Sequence, residues 1–338
     1  MWCCAVAEVS VIVPVYDLED RLPSTLGSLV RQDFGDLEIV VVDDASQDGS
    51  ADCARDILQR SGRRFRVIRL EKNMGCSVAR NRGLRESSGR CVLFFDGDDM
   101  AESNFISSLF RSLNESGADF ASCGYKTLDV SAGEVKDFPL ICPEGSSKEK
   151  ILEMRILNRL DIPHCATLYR KKFLEDNHLC YKEGCSAGED VEFLIKMLCR
   201  AEKGSFIPDC LYIYVQHDGM GSRSEIKDRE TRIERYLHHT EAHFREAEYI
   251  KKNTKGKMLH TLAEHMLLPA ACLRMLSYYA MSGQRERFRS MIRSKEIRRV
   301  IFESRASFFI KPEVFLRGCA ALLLPALYYN KYSGYGDR

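Results

Sequence analysis

The 338-residue chain is 45% hydrophobic and 29% charged, an ordinary globular composition with room for one large α/β domain and an appendage, or for two small domains. Its 50 Lys/Arg against 49 Asp/Glu identify no partner, but Arg245 to the end holds 18 against 8, net +10, and the remainder 32 against 41, net −9. An acidic front and a basic back are expected to do different jobs. The 14 cysteines do not read as a disulfide framework, which belongs to short secreted chains.

The first residues, Met1-Trp2-Cys3-Cys4, lack a basic n-region, and Glu8 breaks the apolar stretch before Pro14; no secretory signal is expected. Val9–Tyr16 and Leu37–Val42 are nearly continuous β-branched and apolar runs, the mark of strands buried on both faces. Phe65–Leu70, Cys91–Phe95 and Asp119–Tyr125 read as further strands. Between them Leu22, Leu26, Leu29 and Val30 share one helical face, Ser50 suits the N-cap of a helix through Leu58, and Ser77–Glu86 reads as helical. Such alternation predicts right-handed crossovers and a doubly wound α/β sheet, whose ligands sit beyond the carboxyl ends of the strands. Cys91, Cys123 and Cys199 stand singly in apolar segments, where a thiol behaves as a small hydrophobe, and no CxxC pair suggests zinc, so a reducing cytoplasm is expected.

After Asp129 the pattern loosens. Val130–Ser147, with Gly133, Pro139, Pro143 and Gly145, reads as a loop; helices follow at Lys148–Arg159 and Val191–Ala201, and a strand at Phe206–Val215. From about Ile226 the chain reads as helical and basic. Its last apolar run, Gly318–Tyr329, contains Pro325 and is too short to span a bilayer. With Arg317, Lys331, Phe315, Tyr328 and Tyr329 around it, it suits either a membrane interface or a helix packed on the main domain.

Asp17 follows the first strand, Asp43 and Asp44 end the second, and Asp96 to Asp99 end a later one, so acids gather at the edge where ligands are expected. In Asp96-Gly97-Asp98-Asp99, three carboxylates repel one another unless a cation or hydrogen bonds offset them. Hard oxygens in a turn suit Mg²⁺ or Mn²⁺; the plainer alternative is a solvated turn capping the next helix. A calcium loop is excluded, because Ala101 and Ser107 stand where it needs Gly and Glu. Asp43-Asp44 suits acceptance of hydrogen bonds from a base or ribose, or an Asx-turn and helix cap. The absence of GxxxxGK, and of GxGxxG after a strand, counts against P-loop ATPases, kinases and ordinary dinucleotide enzymes. Asn73-Met74-Gly75 before Ala79-Arg80-Asn81 makes Arg80 a candidate phosphate or nucleotide contact, or a surface arginine. Gly188-Glu189-Asp190 opens an amphipathic helix through Val191, Phe193, Leu194 and Met197; acids there either complement the helix dipole or place a general base on a rigid helix end. His217, after Tyr212-Ile213-Tyr214, is a candidate metal or phosphate contact.

In order and spacing, Val11-Ile12-Val13-Pro14-Val15-Tyr16-Asp17, Val42-Asp43-Asp44, Asn73-Met74-Gly75 with Ala79-Arg80-Asn81, Phe95-Asp96-Gly97-Asp98-Asp99 and Glu189-Asp190 resemble the family 2 glycosyltransferases of the GT-A fold. The resemblance covers roughly residues 8 to 224. It implies a doubly wound, mostly parallel GT-A sheet flanked by helices in residues 1–225; 226–338 forms a helical C-terminal extension whose basic charge and apolar tail suit association with membrane or partner, or packing on the domain. It implies that Pro14, Val15, Tyr16, Asp17 and Asp44 hold the nucleotide, with Asp44 facing the base and Arg80 near the base or diphosphate. Asp96, Asp98 and Asp99 would serve the ribose and a divalent cation, Mg²⁺ or Mn²⁺, with His217, in the loop to Ser224, a further metal candidate. Asp190 matches the catalytic base and Glu189 its companion. Asp17 stands where Asn is commoner and Gly97 where Ser is commoner, and neither change removes a carboxylate.

The reaction implied is transfer from a nucleotide diphosphate-sugar, a UDP-sugar favoured, to a hydroxyl of a saccharide or lipid-linked saccharide, with inversion. Cell-surface polysaccharide or glycolipid biosynthesis is the expected setting, in the cytoplasm or peripherally on the inner face of the membrane. A nucleotidyltransferase would need a basic, glycine-rich N-terminal loop, and Val15–Leu22 offers only Arg21. A catalytically silent partner subunit would have lost the acidic turn or the base, and both are intact. Lys251, Lys252, Lys255 and Lys257 suit anionic lipid as well as nucleic acid; nucleic acid is not the expected partner.

Overall fold

Val, Ile and Leu fill the first two strands because neither face of them meets water. In the computed structural model, which describes residues 6–216, 229–303 and 312–333, β1 (Val9–Val15) and β2 (Leu37–Asp43) are buried at every residue, as strands covered by helices on both sides must be. β3 (Arg64–Arg69) runs parallel to β2, and β4 (Cys91–Phe94) parallel to β1. The crossovers are α1 (Leu22–Val30), α2 (Ser50–Ser61) and α3 (Cys76–Glu86). Then come β5 (Met100–Ala101), α4 (Phe105–Ser116), β6 (Phe120–Asp129), β7 (Glu134–Phe138), α5 (Lys148–Ile156), β8 (Thr167–Arg170), α6 (Lys171–Asp176) and, after an intervening helix, β9 (Gly204–Gln216).

The strand order is β3-β2-β1-β4-β8-β6-β9-β5, with β7 paired to β6. Parallel pairing holds over β3-β2-β1-β4; beyond β4 the sheet is mixed, since β8 is antiparallel to both β4 and β6, and β9 is parallel to β6 and antiparallel to β5. The strand β7 lies inside the stretch expected to be loop. A short turn at residues 130–133 joins it to β6, so the pair is antiparallel. Every residue of β7 is exposed, which removes the apolar alternation that marks a strand.

Register sets the edge that matters. Val15 is opposite Asp43, and Ile12 opposite Phe94, so the segments leaving β1, β2 and β4 emerge together. The opposite edge is tied by a buried polar knot. Glu38, 4% exposed, accepts the Ser10 hydroxyl at 2.6 Å, the Ser88 N–H at 2.8 Å and the Ser88 hydroxyl at 2.9 Å, and pairs with Arg66 at 3.2 Å. It thereby joins β1, β2, β3 and the turn before β4.

The chain divides into two compact units, Met1–Gly184 with Arg200–Arg223, and Cys185–Cys199 with Ser224–Arg338. The second unit is helical: α7 (Glu189–Arg200), α8 (Arg229–Asn253), α9 (Lys257–Leu262), α10 (Leu268–Met281), α11 (Arg285–Arg293), α12 (Lys295–Glu303), α13 (Pro312–Leu323) and α14 (Pro325–Ser333). The sequence reading places residues 185–199 with the first domain. The contacts that group α7 with the second unit include Arg245 of α8, which reaches the buried Glu192 at 2.8 Å. Pro325 ends α13 and opens α14, a position where its missing N–H costs nothing. Leu273, Leu276, Ala280, Phe288, Ile301 and Tyr328 are among its core. Among the described residues, no helix is long and apolar enough to cross a membrane. Cys91 and Cys123 are buried in the first unit, and burial pushes their thiols up to about 11 and about 12, as inert small hydrophobes.

The polar knot makes stability depend on pH. Burial works against the Glu38 charge, but the hydrogen bonds from Ser10 and Ser88, with Arg66, outweigh it and lower its carboxyl below the ordinary glutamate value of 4.5. A carboxyl lowered by folding contributes stability that is complete above the ordinary value and is lost as pH falls through the lowered one. Glu38→Gln is therefore expected to cost about 1–3 kcal/mol at pH 7, a penalty that shrinks at acid pH. Urea melts of both proteins at neutral and acid pH check this, and a pH-independent difference would count against it.

Candidate functional site

Three turns meet at the carboxyl edge of β1, β2 and β4. Asp17, after β1, is left-handed (φ 50); its N–H donates to Ser46 Oγ at 3.0 Å, and its carboxylate accepts the Gln47 N–H at 2.7 Å. Ala45, after β2, is left-handed too (φ 61). Asp43 receives the N–H and hydroxyl of Ser46 and pairs with Arg69 at 3.3 Å. Left-handed backbone costs a non-glycine residue about 1–2 kcal/mol, and here two such residues are locked together through Ser46, a pattern that clusters at functional sites.

Asp44, 3% exposed, holds the next loop. Its two oxygens accept the Met74 N–H at 2.8 Å and the Gly75 N–H at 2.7 Å. Burial raises its carboxyl against those two bonds, and the neighbouring Asp43 adds to the rise. A carboxylate has about four acceptor sites, so holding the loop leaves capacity for a ligand.

That loop leads into α3 and sets Arg80, which is 5% exposed. Its guanidinium lies 2.8 Å from Asp96 and 5.1 Å from the Tyr181 ring centre. The other Asp96 oxygen accepts the Cys165 thiol at 3.1 Å. Burial disfavours the Asp96 charge, but Arg80, then His164, overcome it and hold the carboxyl down at about 2. Asp96 is thus an ionised group facing a fixed cation.

Of the sequence candidates, Pro14, Val15, Tyr16, Asp44, Arg80, Asp96 and Asp98 come together around one cleft of about 210 Å³, with Leu18, Cys76, Ala79 and Gly97 between them. Gly97 sits where a Cβ would meet the Pro14 carbonyl oxygen at 2.8 Å, so a side chain there would push the floor apart. Asp17 is exposed and serves the turn rather than the lining. Asp99 is brought to β9 and not to the cleft. Its carboxylate, 1% exposed, accepts the Tyr212 hydroxyl and the Val215 N–H. Burial, then the charges of Asp96 and Asp98, raise its carboxyl well above the ordinary range. The sequence reading pairs Asp99 with Asp98 as a metal ligand; in the fold its carboxylate also ties the acidic turn to β9. His217 lies outside the described residues. Glu189 and Asp190 begin α7 in the second unit, where Asp190 accepts the Val191 N–H at 2.8 Å.

Sequence reasoning misses the wall behind Asp96. His164 and Cys165, in a tight turn before β8, bring their ligating atoms within 4.8 Å of one another and of an Asp96 oxygen. That mixed set is a poor metal site, because Arg80 already pairs with Asp96 and burial pushes the Cys165 thiol well up, whereas metal binding needs thiolate. Asp98, a hard oxygen donor at the cleft, has the chemistry a Mg²⁺ or Mn²⁺ ion requires. Nothing in the spacing marks Tyr181 or Cys165, which chain folding alone delivers to α3 and the acidic turn.

The family model described as glycosyl transferase family 2 matches residues 10–177. The uncharacterized glycosyltransferase EpsJ of Bacillus subtilis strain 168 is 29% identical over 214 residues, 61% of this chain and 60% of its own length. The poly(ribitol-phosphate) beta-N-acetylglucosaminyltransferase TarS of Staphylococcus aureus strain Mu50 is 30% identical over 210 residues, 61% of this chain and 35% of its own. The match thus spans less than two thirds of the length of these relatives. The crystal structure of S. aureus TarS 1-349 in complex with UDP-GlcNAc superposes with a TM-score of 0.69 at 21% identity, covering 98% of this chain and 90% of that one. The mannosyltransferase PcManGT from Pyrobaculum calidifontis, in complex with GDP-Man and Mn²⁺, gives 0.55 at 17% identity, covering 95% and 88%. At these identities the likeness shows the fold, which is the GT-A type.

Asp44→Asn replaces one acceptor oxygen with an NH₂ group that opposes a backbone donor. Losing that bond costs about 1–3 kcal/mol, so amide exchange at Met74 and Gly75 is expected to rise roughly tenfold. Hydrogen-exchange mass spectrometry reads it, and unchanged protection would mean that Asp44 does not hold the loop.

Proposed function

Because this chain belongs to the family 2 glycosyltransferases, we propose that it moves a sugar from a nucleotide diphosphate-sugar to an acceptor hydroxyl with inversion at the anomeric carbon. The observation that carries the reading is the cleft at the carboxyl edge, where a buried arginine and two aspartates share one wall. Pro14, Val15, Tyr16 and Asp44 receive the nucleotide, with Asp17 bracing the turn beneath them. Arg80 orients Asp96 and adds positive charge beside the diphosphate.

Asp98 would hold a divalent cation, Mg²⁺ or Mn²⁺, which would offset the charge of the departing nucleoside diphosphate, and Asp96, paired with Arg80, lies beside it. Asp190 is the general base, with Glu189 its companion. As the acceptor oxygen bonds to the anomeric carbon, its proton goes to the Asp190 carboxylate, and the bond from that carbon to phosphate oxygen breaks with its electron pair leaving on the diphosphate. Base assistance of this kind is worth about 10²–10⁴ in rate. One displacement inverts configuration and needs no covalent intermediate.

The TarS complex with UDP-GlcNAc and the PcManGT complex with GDP-Man and Mn²⁺ support a nucleotide-sugar donor and a divalent ion, and the former favours UDP. The name of TarS supports a cell-surface polymer or lipid-linked saccharide as acceptor. We take residues 1–225 as the transferase domain and 226–338 as a region that rests peripherally on an anionic membrane in the cytoplasm. Its net +10 from Arg245 onward and four exposed leucines, Leu316 and Leu323 on α13, Leu324 at the joint and Leu327 on α14, support that placement.

Release of nucleoside diphosphate from a panel of nucleotide sugars, with Mn²⁺ or Mg²⁺ and candidate saccharides, tests the reaction. Asp190→Asn is expected to lower kcat by about 10²–10⁴ with donor affinity retained, and Asp98→Ala to abolish metal-dependent donor binding. A protein that neither turns over nor binds any nucleotide sugar would be a silent relative. For the membrane, co-sedimentation with anionic vesicles is expected to fall with added salt and in Leu323→Glu/Leu327→Glu; a chain that stays in the supernatant at low salt would end that part of the proposal.

A further inference from the structure

The segment that carries the proposed base is held by an element the reaction scheme does not use. Along α8, His238, Ala242 and Arg245 are spaced i, i+4 and i+7, which places them on one stripe. Each meets the segment from Cys185 to Glu192 at a different point. His238 Nδ1 accepts the Ser186 N–H at 3.2 Å and lies 2.9 Å from the Ser186 hydroxyl. Gly188, at φ +81, lies so close to α8 that a Cβ there would be 3.0 Å from Ala242 Cβ and 3.1 Å from His239 Cα. Arg245 donates from Nε to Glu192 at 2.8 Å and from Nη2 to Cys185 Sγ at 3.4 Å.

These contacts bracket Glu189 and Asp190 on both sides. Glu192 is 1% exposed, and its second oxygen is 2.5 Å from Lys196, so a buried carboxylate is matched by two cations. Gly188 also begins the helix, its carbonyl accepting the Glu192 N–H at 3.0 Å. The first turn of α7 is therefore fixed at its start by the close approach of two backbones and four residues on by an ion pair. Simple burial of an amphipathic helix asks for neither, since Phe193, Leu194 and Met197 already provide the apolar face of α7.

We propose that α8 is the positioning element for the Glu189–Asp190 pair, with Arg245 and Gly188 as its two fixing points. The proposal rests on the transferase reading above and deepens it: the helical unit holds the base in place, whatever surface its far end meets. Arg245 and Gly188 touch no substrate; they act through the helix end that carries Asp190.

The test compares Arg245→Met, Arg245→Lys, Gly188→Ala and, as a control at an exposed position of the same helix, Glu234→Ala, all in the full chain. For each, kcat, donor affinity by calorimetry and amide exchange over residues 186–191 are measured. Displacing a reacting group by about 1 Å costs on the order of 10²-fold, so kcat is expected to fall roughly 10- to 100-fold in Arg245→Met and Gly188→Ala. Donor affinity is expected to hold while exchange over 186–191 speeds up. Arg245→Lys should keep part of the rate, and Glu234→Ala all of it. Unchanged kcat in the folded variants overturns the proposal, as does a loss of rate that only follows a loss of donor affinity. If the wild-type chain binds no donor and transfers no sugar, the transferase reading is what fails, and the exchange data still report whether α8 holds the segment.

Discussion

The pair between the buried Arg80 and the half-buried Asp96 is the interaction on which the cleft depends. Arg80, 5% exposed, cannot shed its charge, and removing Asp96 would leave that buried cation without the carboxylate that faces it. Held together at 2.8 Å, they join α3 to the acidic turn after β4 and leave Asp96 ionised. Everything upstream serves that contact. Asp44 fixes the loop that starts α3, Asp43 and Ser46 fix the turn that carries Asp44, and Asp17 closes on Ser46.

The same logic separates three aspartates that look alike in sequence. Asp96 faces a cation and stays ionised, Asp98 lines the cleft, and Asp99 is buried against Tyr212 and Val215 with its carboxyl raised. Environment, not residue type, assigns their roles. At the other edge of the sheet Glu38 is buried too, and four contacts from Ser10, Ser88 and Arg66 hold it within the fold. The sheet is tied for stability at one end and open for chemistry at the other.

Much of this was legible in the residues. The runs Val9–Val15 and Leu37–Asp43 announce buried parallel strands, and their ends announce where acids will gather. What stayed hidden depends on contacts between residues far apart in the chain. Asp99 reads like Asp98 until β9 brings Tyr212 against it. Tyr181 and Cys165 carry no motif, although they form the wall behind Arg80 and Asp96. The strand β7 was masked because it buries no residue, and α7 grouped with the C-terminal unit because Glu192 finds its partner at Arg245, which no local pattern encodes.

The most direct measurement is a double-mutant cycle on UDP affinity, by calorimetry with Mn²⁺ present, using Arg80→Met, Asp96→Asn and the pair. If the two side chains act as one unit shaping the donor cleft, the single losses overlap, with a coupling above about 1.4 kcal/mol, a tenfold departure from additivity. Losses that add to within about 0.5 kcal/mol would contradict the view that the pair organises the site.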